Sequence, residues 1–114
     1  KIERDKMLDI IENEPRQHQL VLYSILNLTN ENNKEEIFTG QVYNKYQEFC
    51  QKTNVEVLTQ RRISDIIAEF DMLGLINVDV VSRGRMGRTR EIKLMVPINL
   101  QPKAKEILEL ALTI

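Results

Sequence analysis

The sequence predicts a mainly α chain with a small β-sheet, and three observations carry that expectation. Apolar residues return at helical spacing in five separate blocks of the 114 residues. Late in the chain, a run of β-branched and aliphatic residues and an alternating run flank a turn holding two glycines. With 42% hydrophobic content, 29% charged residues and only 4 Gly and 3 Pro, the composition suits one folded domain.

Residues 1–13 read as a helix with a partial apolar stripe of Ile2, Met7, Ile10 and Ile11, which Pro15 breaks. Residues 16–28 form a second helix. Its Leu20, Val21, Leu22, Tyr23, Ile25, Leu26 and Leu28 go most of the way round, so it should be central and buried. A polar loop, 30–36, leads to Ile37 and Phe38, long enough only for a short strand. Thr39 is placed as the N-cap of a helix over 40–52, with Val42, Tyr43, Tyr46, Phe49 and Cys50 on one buried face. Past a connector, 53–58, Thr59 is a second N-cap. Helix 60–73 then turns Ile63, Ile66, Ile67, Phe70 and Leu73 inward, and Gly74 supplies its C-terminal stop. Residues 75–82 read as a strand and 83–88 as a turn. The return strand is 89–96, where Ile92, Leu94 and Val96 alternate with Glu91, Lys93 and Met95 before Pro97 ends it. Pro102 opens a last amphipathic helix to residue 114, carrying Ile107, Leu108, Leu110, Ala111 and Ile114.

Helix, short strand, two helices and a hairpin in that order make a winged helix-turn-helix, here with flanking N- and C-terminal helices. Residue 1 falls inside a predicted helix and is not Met. Residues 1–14 are therefore expected to be a helix and linker from a preceding domain, and 15–114 the winged-helix DNA-binding domain. The single cysteine excludes an internal disulfide framework and suits a reducing, intracellular compartment. No apolar run reaches transmembrane length, which argues against a membrane partner.

A net charge of −1 argues against a nucleic-acid binder until its distribution is read. Between Ser82 and Lys93 stand Arg83, Arg85, Arg88, Arg90 and Lys93 against Glu91 alone. This local balance of +4 leaves −5 for the rest of the chain. Attraction to phosphates depends on the field at the contact, so a focused cationic patch on an acidic body is informative. The wing candidates are Arg83, Gly84, Arg85, Met86, Gly87, Arg88, Thr89 and Arg90. Arginine forks onto phosphates and base edges and suits a narrow minor groove, and Gly84 and Gly87 allow close backbone approach. A hairpin charged only for solubility would mix signs.

A second candidate group, Thr59, Gln60, Arg61, Arg62 and Ser64, opens the helix that follows the connector. Helix N-termini favour acids, so Arg61 and Arg62 run against local preference, a conflict that often marks function. In this position Gln60 could pair with adenine and either arginine with guanine. The competing reading has Arg61 bridging to Asp65, four residues on, and merely supporting the helix. His18 reads as a surface or capping residue, Cys50 as core, and Tyr43, Tyr46 and Phe49 as core rather than a stacking platform. Gly87-Arg88-Thr89 lacks the upstream glycine spacing and the lysine of a phosphate-binding loop. With no metal cluster and no nucleophile–base pair in the sequence, no catalytic or metal residue is assigned and the chain is not expected to be an enzyme.

Three segments and the wing form one ordered series: Thr39-Gly40-Gln41-Val42-Tyr43, Leu58 through Ile67, Phe70 through Ile76, and Ser82 through Arg90. Together they resemble the C-terminal winged-helix domain of archaeal origin-recognition (Orc/Cdc-type) replication initiators, over residues 17–96. The resemblance implies an AAA+ ATPase module, with its ATP and Mg²⁺, preceding this domain. It also implies binding of double-stranded origin DNA, a replicative helicase as partner, and a nucleoid-associated, cytoplasmic location. The helix beginning at Thr59 would enter the major groove and the wing the adjacent minor groove. Met86 stands where many members carry an aromatic residue. Two other readings stay open. One is a dimeric winged-helix transcription regulator seamed by its flanking helices, whereas the favoured reading expects a monomer. The other is a winged-helix protein-interaction module whose arginines meet an acidic partner such as the helicase.

Overall fold

The computed structural model describes the backbone of residues 2–32, 36–82 and 88–114, and their side chains except at 2–5, 32, 82 and 88. The order is α1 (Ile2–Glu12), α2 (Arg16–Asn32), β1 (Ile37–Phe38), α3 (Thr39–Thr53), α4 (Gln60–Leu73), β2 (Ile76–Ser82), β3 (Arg88–Leu94) and α5 (Gln101–Leu112). Every predicted helix and strand is present, the differences lie at the ends, and residues 83–87 of the predicted turn lie outside the described residues.

Helix α2 runs four residues past its expected end. Thr29 Oγ1 donates to the Ile25 carbonyl at 2.8 Å, and Glu31 pairs with Lys45 of α3 at 2.8 Å. Polar side chains that suggest a loop thus hold one more turn. Residues 33–35 of the predicted loop lie outside the described residues. Helix α3 begins at Thr39 itself, with Phe38 at the N-cap. Thr39 therefore does not cap it. Instead Gln41 Oε1 reaches back to accept from the Phe38 N–H at 2.8 Å. The strand β1 must end at Phe38 in the sheet, and the helix starts at the next residue. Asn54, in the left-handed region at φ 57°, closes α3. The ends of α4 follow the sequence, with Thr59 as N-cap and Gly74 as C-cap at φ 81°.

Helix α2 lies at the centre, as its apolar circumference requires: Leu20, Val21, Leu22, Ile25 and Leu26 are all fully buried. Burying one such side chain contributes about 1.5–3 kcal/mol, so this helix anchors the core. Gln19, also buried, donates to the Ile11 and Glu12 carbonyls at 3.3 and 3.1 Å, tying the end of α1 back across Pro15. Tyr23 donates to Glu109 Oε2 at 2.7 Å and fastens α2 to α5. Burial is the larger cause, and the Glu109 carboxylate the second, of a Tyr23 hydroxyl pushed up to about 12. The buried stripe of α5 is Ala104, Leu108 and Leu112. The sequence pattern puts Leu110 and Ile114 on its apolar side, yet both are exposed, because the helix closes at Thr113 (φ 59°) and Leu110 falls off the stripe. Leu73, expected inside, is likewise exposed in the last turn of α4.

The three strands form an antiparallel sheet in the order β1-β3-β2. Ile37 sits opposite Ile92, and the hairpin register pairs Ile76 with Leu94, Val78 with Ile92, Val80 with Arg90, and Ser82 with Arg88. Side chains alternate across a sheet, so the first three of these rungs share the face that buries Ile76 and Ile92. The expected β3 extension to Val96 stops at Leu94, although the Met95 N–H still donates to the Leu75 carbonyl at 2.9 Å.

Candidate nucleic-acid interface

The candidate helix start is built from its cap outward. Thr59 lies in an extended conformation, and its Oγ1 accepts from the Arg62 N–H at 3.2 Å. The Ile63, Ile66, Ile67 and Phe70 side chains bury one face of α4. That commitment leaves Thr59, Gln60, Arg61 and Arg62 exposed and Ser64 half-buried. There is no acid in the first turn. Among the described residues no ion pair engages Arg61 or Arg62, and the alternative bridge from Arg61 to Asp65 does not form. Two guanidinium groups thus stand in solvent at the positive end of a helix, an arrangement suited to an anion.

The hairpin supplies the second candidate surface. Its core-facing rungs are apolar at Ile76/Leu94 and Val78/Ile92. They then run beyond the core, where Val80 is exposed beside an exposed Arg90. Thr89 is half-buried on the opposite face. Arg83, Gly84, Arg85, Met86 and Gly87 lie outside the described residues, and of Arg88 only the backbone, opposite Ser82, is described. The helix start and the hairpin belong to consecutive elements, joined only by Gly74 and Leu75.

One expectation about another residue changes, and a second gains a partner. His18 is mostly buried rather than on the surface. Its Nε2 meets Glu69 Oε1 of α4 at 3.0 Å, and its ring lies edge-on to Phe70 with centroids 5.9 Å apart. It therefore holds α2 against α4. Tyr43 and Tyr46 do sit on the inner face of α3, but their hydroxyls are engaged with the connector before α4. Tyr43 donates to the Leu58 carbonyl at 2.9 Å, and the Leu58 N–H donates to the Tyr46 hydroxyl at 2.8 Å. The signal in the sequence was two tyrosines where phenylalanine would fill the core equally well, since a buried phenol needs a partner. Cys50 is buried, as expected, and burial pushes its thiol up.

Among the described residues, no three His, Cys, Asp or Glu side chains come together as metal ligands. Arg88 and Thr89 belong to a strand and do not open a helix, as the end of a phosphate-binding loop would. No described helix is long and apolar enough to cross a membrane.

A helix, a short strand, two helices and a hairpin around one core define a winged-helix domain, a non-catalytic module. The model described as "CDC6, C terminal winged helix domain" matches residues 9–103, and the chain belongs to that family. It is 49% identical over 98 residues to ORC1-type DNA replication protein 7 of Halobacterium salinarum, covering 86% of this chain and 19% of that protein. Against the ORC1-type DNA replication protein of Pyrococcus abyssi it is 52% identical over 96 residues, 84% of this chain and 23% of the relative. The chain thus spans about a fifth to a quarter of the length of these relatives. Among solved structures it resembles the Aeropyrum pernix ORC1 protein in complex with DNA, at a TM-score of 0.83 and 39% identity over 95% of this chain and 27% of that one. Drosophila ORC bound to DNA superposes at a TM-score of 0.71 over 95% of this chain and 25% of that one, and at 19% identity shows the fold alone.

Proposed function

We propose that this chain binds double-stranded DNA at replication origins, as the C-terminal domain of an archaeal replication initiator. The first turn of α4 enters the major groove and the arginine-rich wing the adjacent minor groove. The observation that carries the reading is the start of α4: Gln60, Arg61 and Arg62 are exposed, and neither guanidinium is used within the described fold. A folded chain has no internal use for two such groups at the electropositive end of a helix, whereas base edges and phosphates supply the missing partners. Family membership supports the same reading, as does likeness to the Aeropyrum pernix protein, whose structure contains DNA.

Phosphate contacts provide most of the affinity, and α4 provides the sequence preference. ATP and Mg²⁺ belong, in this reading, to a preceding AAA+ module, and the replicative helicase is the protein partner. The domain acts as a monomer in the cytoplasm, at the nucleoid. Replacing Arg61 and Arg62 together with Ala should weaken duplex binding and lower the salt slope by about 1 for each phosphate left unneutralised. If either arginine reads a guanine, roughly 1–3 kcal/mol of discrimination disappears with it. Anisotropy titration of both proteins checks this, and equal affinity and slope would remove α4 from the interface.

A further inference from the structure

The α3–α4 connector has no regular structure from Val55 to Thr59, yet it must aim the first turn of α4. Its last residue before the cap, Leu58, has both backbone polar groups held by one helix. The Tyr43 hydroxyl donates to the Leu58 carbonyl at 2.9 Å, and the Tyr46 hydroxyl accepts from the Leu58 N–H at 2.8 Å. Tyr46, fully buried, donates its own proton to Gln17 Oε1 of α2 at 2.6 Å. Gln17 Nε2 in turn donates to the Glu56 carbonyl at 2.8 Å, two residues before Leu58. The two rings lie 5.9 Å apart on α3, one turn from each other. Three side chains from α2 and α3 therefore fix a peptide that no helix or strand orients.

We propose that Tyr43 and Tyr46 are positioning residues for DNA recognition, clamping Leu58 so that Thr59, Gln60, Arg61 and Arg62 meet the duplex in one orientation. The inference rests on the reading of α4 as the base-contacting helix. Base readout needs donors and acceptors placed along fixed directions, while attraction to phosphates tolerates a pivoting helix start. Loosening the clamp therefore costs sequence preference and leaves general duplex affinity in place. Tyr43→Phe is the cleaner change. It keeps the ring against the core and removes only one donor from a half-buried contact, whose carbonyl water can meet. Tyr46→Phe leaves the Leu58 N–H and Gln17 Oε1 both without their partner and is the stronger change.

The test uses the 114-residue chain and a duplex that it enriches from a randomised pool, with the unselected pool as reference. Tyr43→Phe is expected to lower the ratio of selected to unselected affinity roughly tenfold, about one base contact's worth. Binding to the unselected pool should stay unchanged. Tyr46→Phe, if folded by circular dichroism, should lower the ratio at least as far. Leu112→Ala, buried in α5 away from the clamp, destabilises the fold but should leave the ratio intact. A folded Tyr43→Phe protein with an unchanged ratio would overturn the clamp, as would an equal fall in Leu112→Ala. Failure of the unaltered chain to enrich any duplex would instead overturn the reading of α4 on which the clamp rests.

Discussion

At Thr59 one hydroxyl decides where α4 starts. Its Oγ1 accepts from the Arg62 N–H at 3.2 Å, satisfying one of the helix's unpaired donors while the arginine side chain remains in solvent. Thr59→Ala should cost about 1 kcal/mol, which lowers Tm by about 4 °C in a chain of this size. Thermal unfolding followed by circular dichroism checks it, and an unchanged midpoint would mean that the cap contributes nothing. Thr59 and Gly74 were legible in the sequence because capping is local: the residue, its partner and the helix end lie within one turn. Thr39 carried the same signal and misled, because pairing of β1 with β3 moved the cap to Phe38, whose N–H Gln41 satisfies. The roles of Tyr43 and Tyr46 were not legible, since their partners lie 15 and 12 residues away and chain separation hides direction.

Among the elements, the hairpin was the clearest in the sequence and α5 the least. Alternation in β3 located Ile92 and Leu94 on the inner face, and the register confirms it. Apolar content alone did not distinguish the buried Leu112 from the exposed Leu110, because several phases of a leucine-rich helix give a plausible stripe. The inner face of the hairpin changes character as it leaves the core. Two apolar rungs give way to Val80/Arg90, both exposed, so the strands that pack the core also carry Arg90 outward. Replacing Arg85 and Arg88 together with Ala should weaken duplex binding and flatten its salt dependence, by about 1 in slope for every phosphate that goes unneutralised. Unchanged affinity and slope in an anisotropy titration would restrict DNA binding to α4.

Across the described residues, α2 holds the parts together through contacts with α1, α3, α4 and α5. The Tyr23–Glu109 bond, joining α2 to α5, gives this integration a pH signature. Burial first, and then the Glu109 carboxylate, raise the Tyr23 hydroxyl to about 12 from an ordinary 10. The folded state favours the neutral phenol, so this stabilisation is complete below pH 10 and is lost as the pH rises towards 12. Urea unfolding at roughly pH 9 and roughly pH 11 should show a fall in stability that is smaller in Tyr23→Phe. An identical fall in both proteins would remove Tyr23 from the alkaline transition. The helical core and the hairpin were visible as periodicities, but the tie between α2 and α5 spans 86 residues and leaves no pattern in either helix.

The central claim is that a chain of net charge −1 holds duplex DNA through a local arginine surface. An anisotropy titration of the unaltered chain against a labelled duplex, repeated over a range of salt concentrations, tests it most directly. The expected result is saturable binding at low salt, with log affinity falling linearly against log salt at a slope of about 3–5, the mark of several neutralised phosphates. No saturable binding at low salt, or an affinity indifferent to salt, would contradict it.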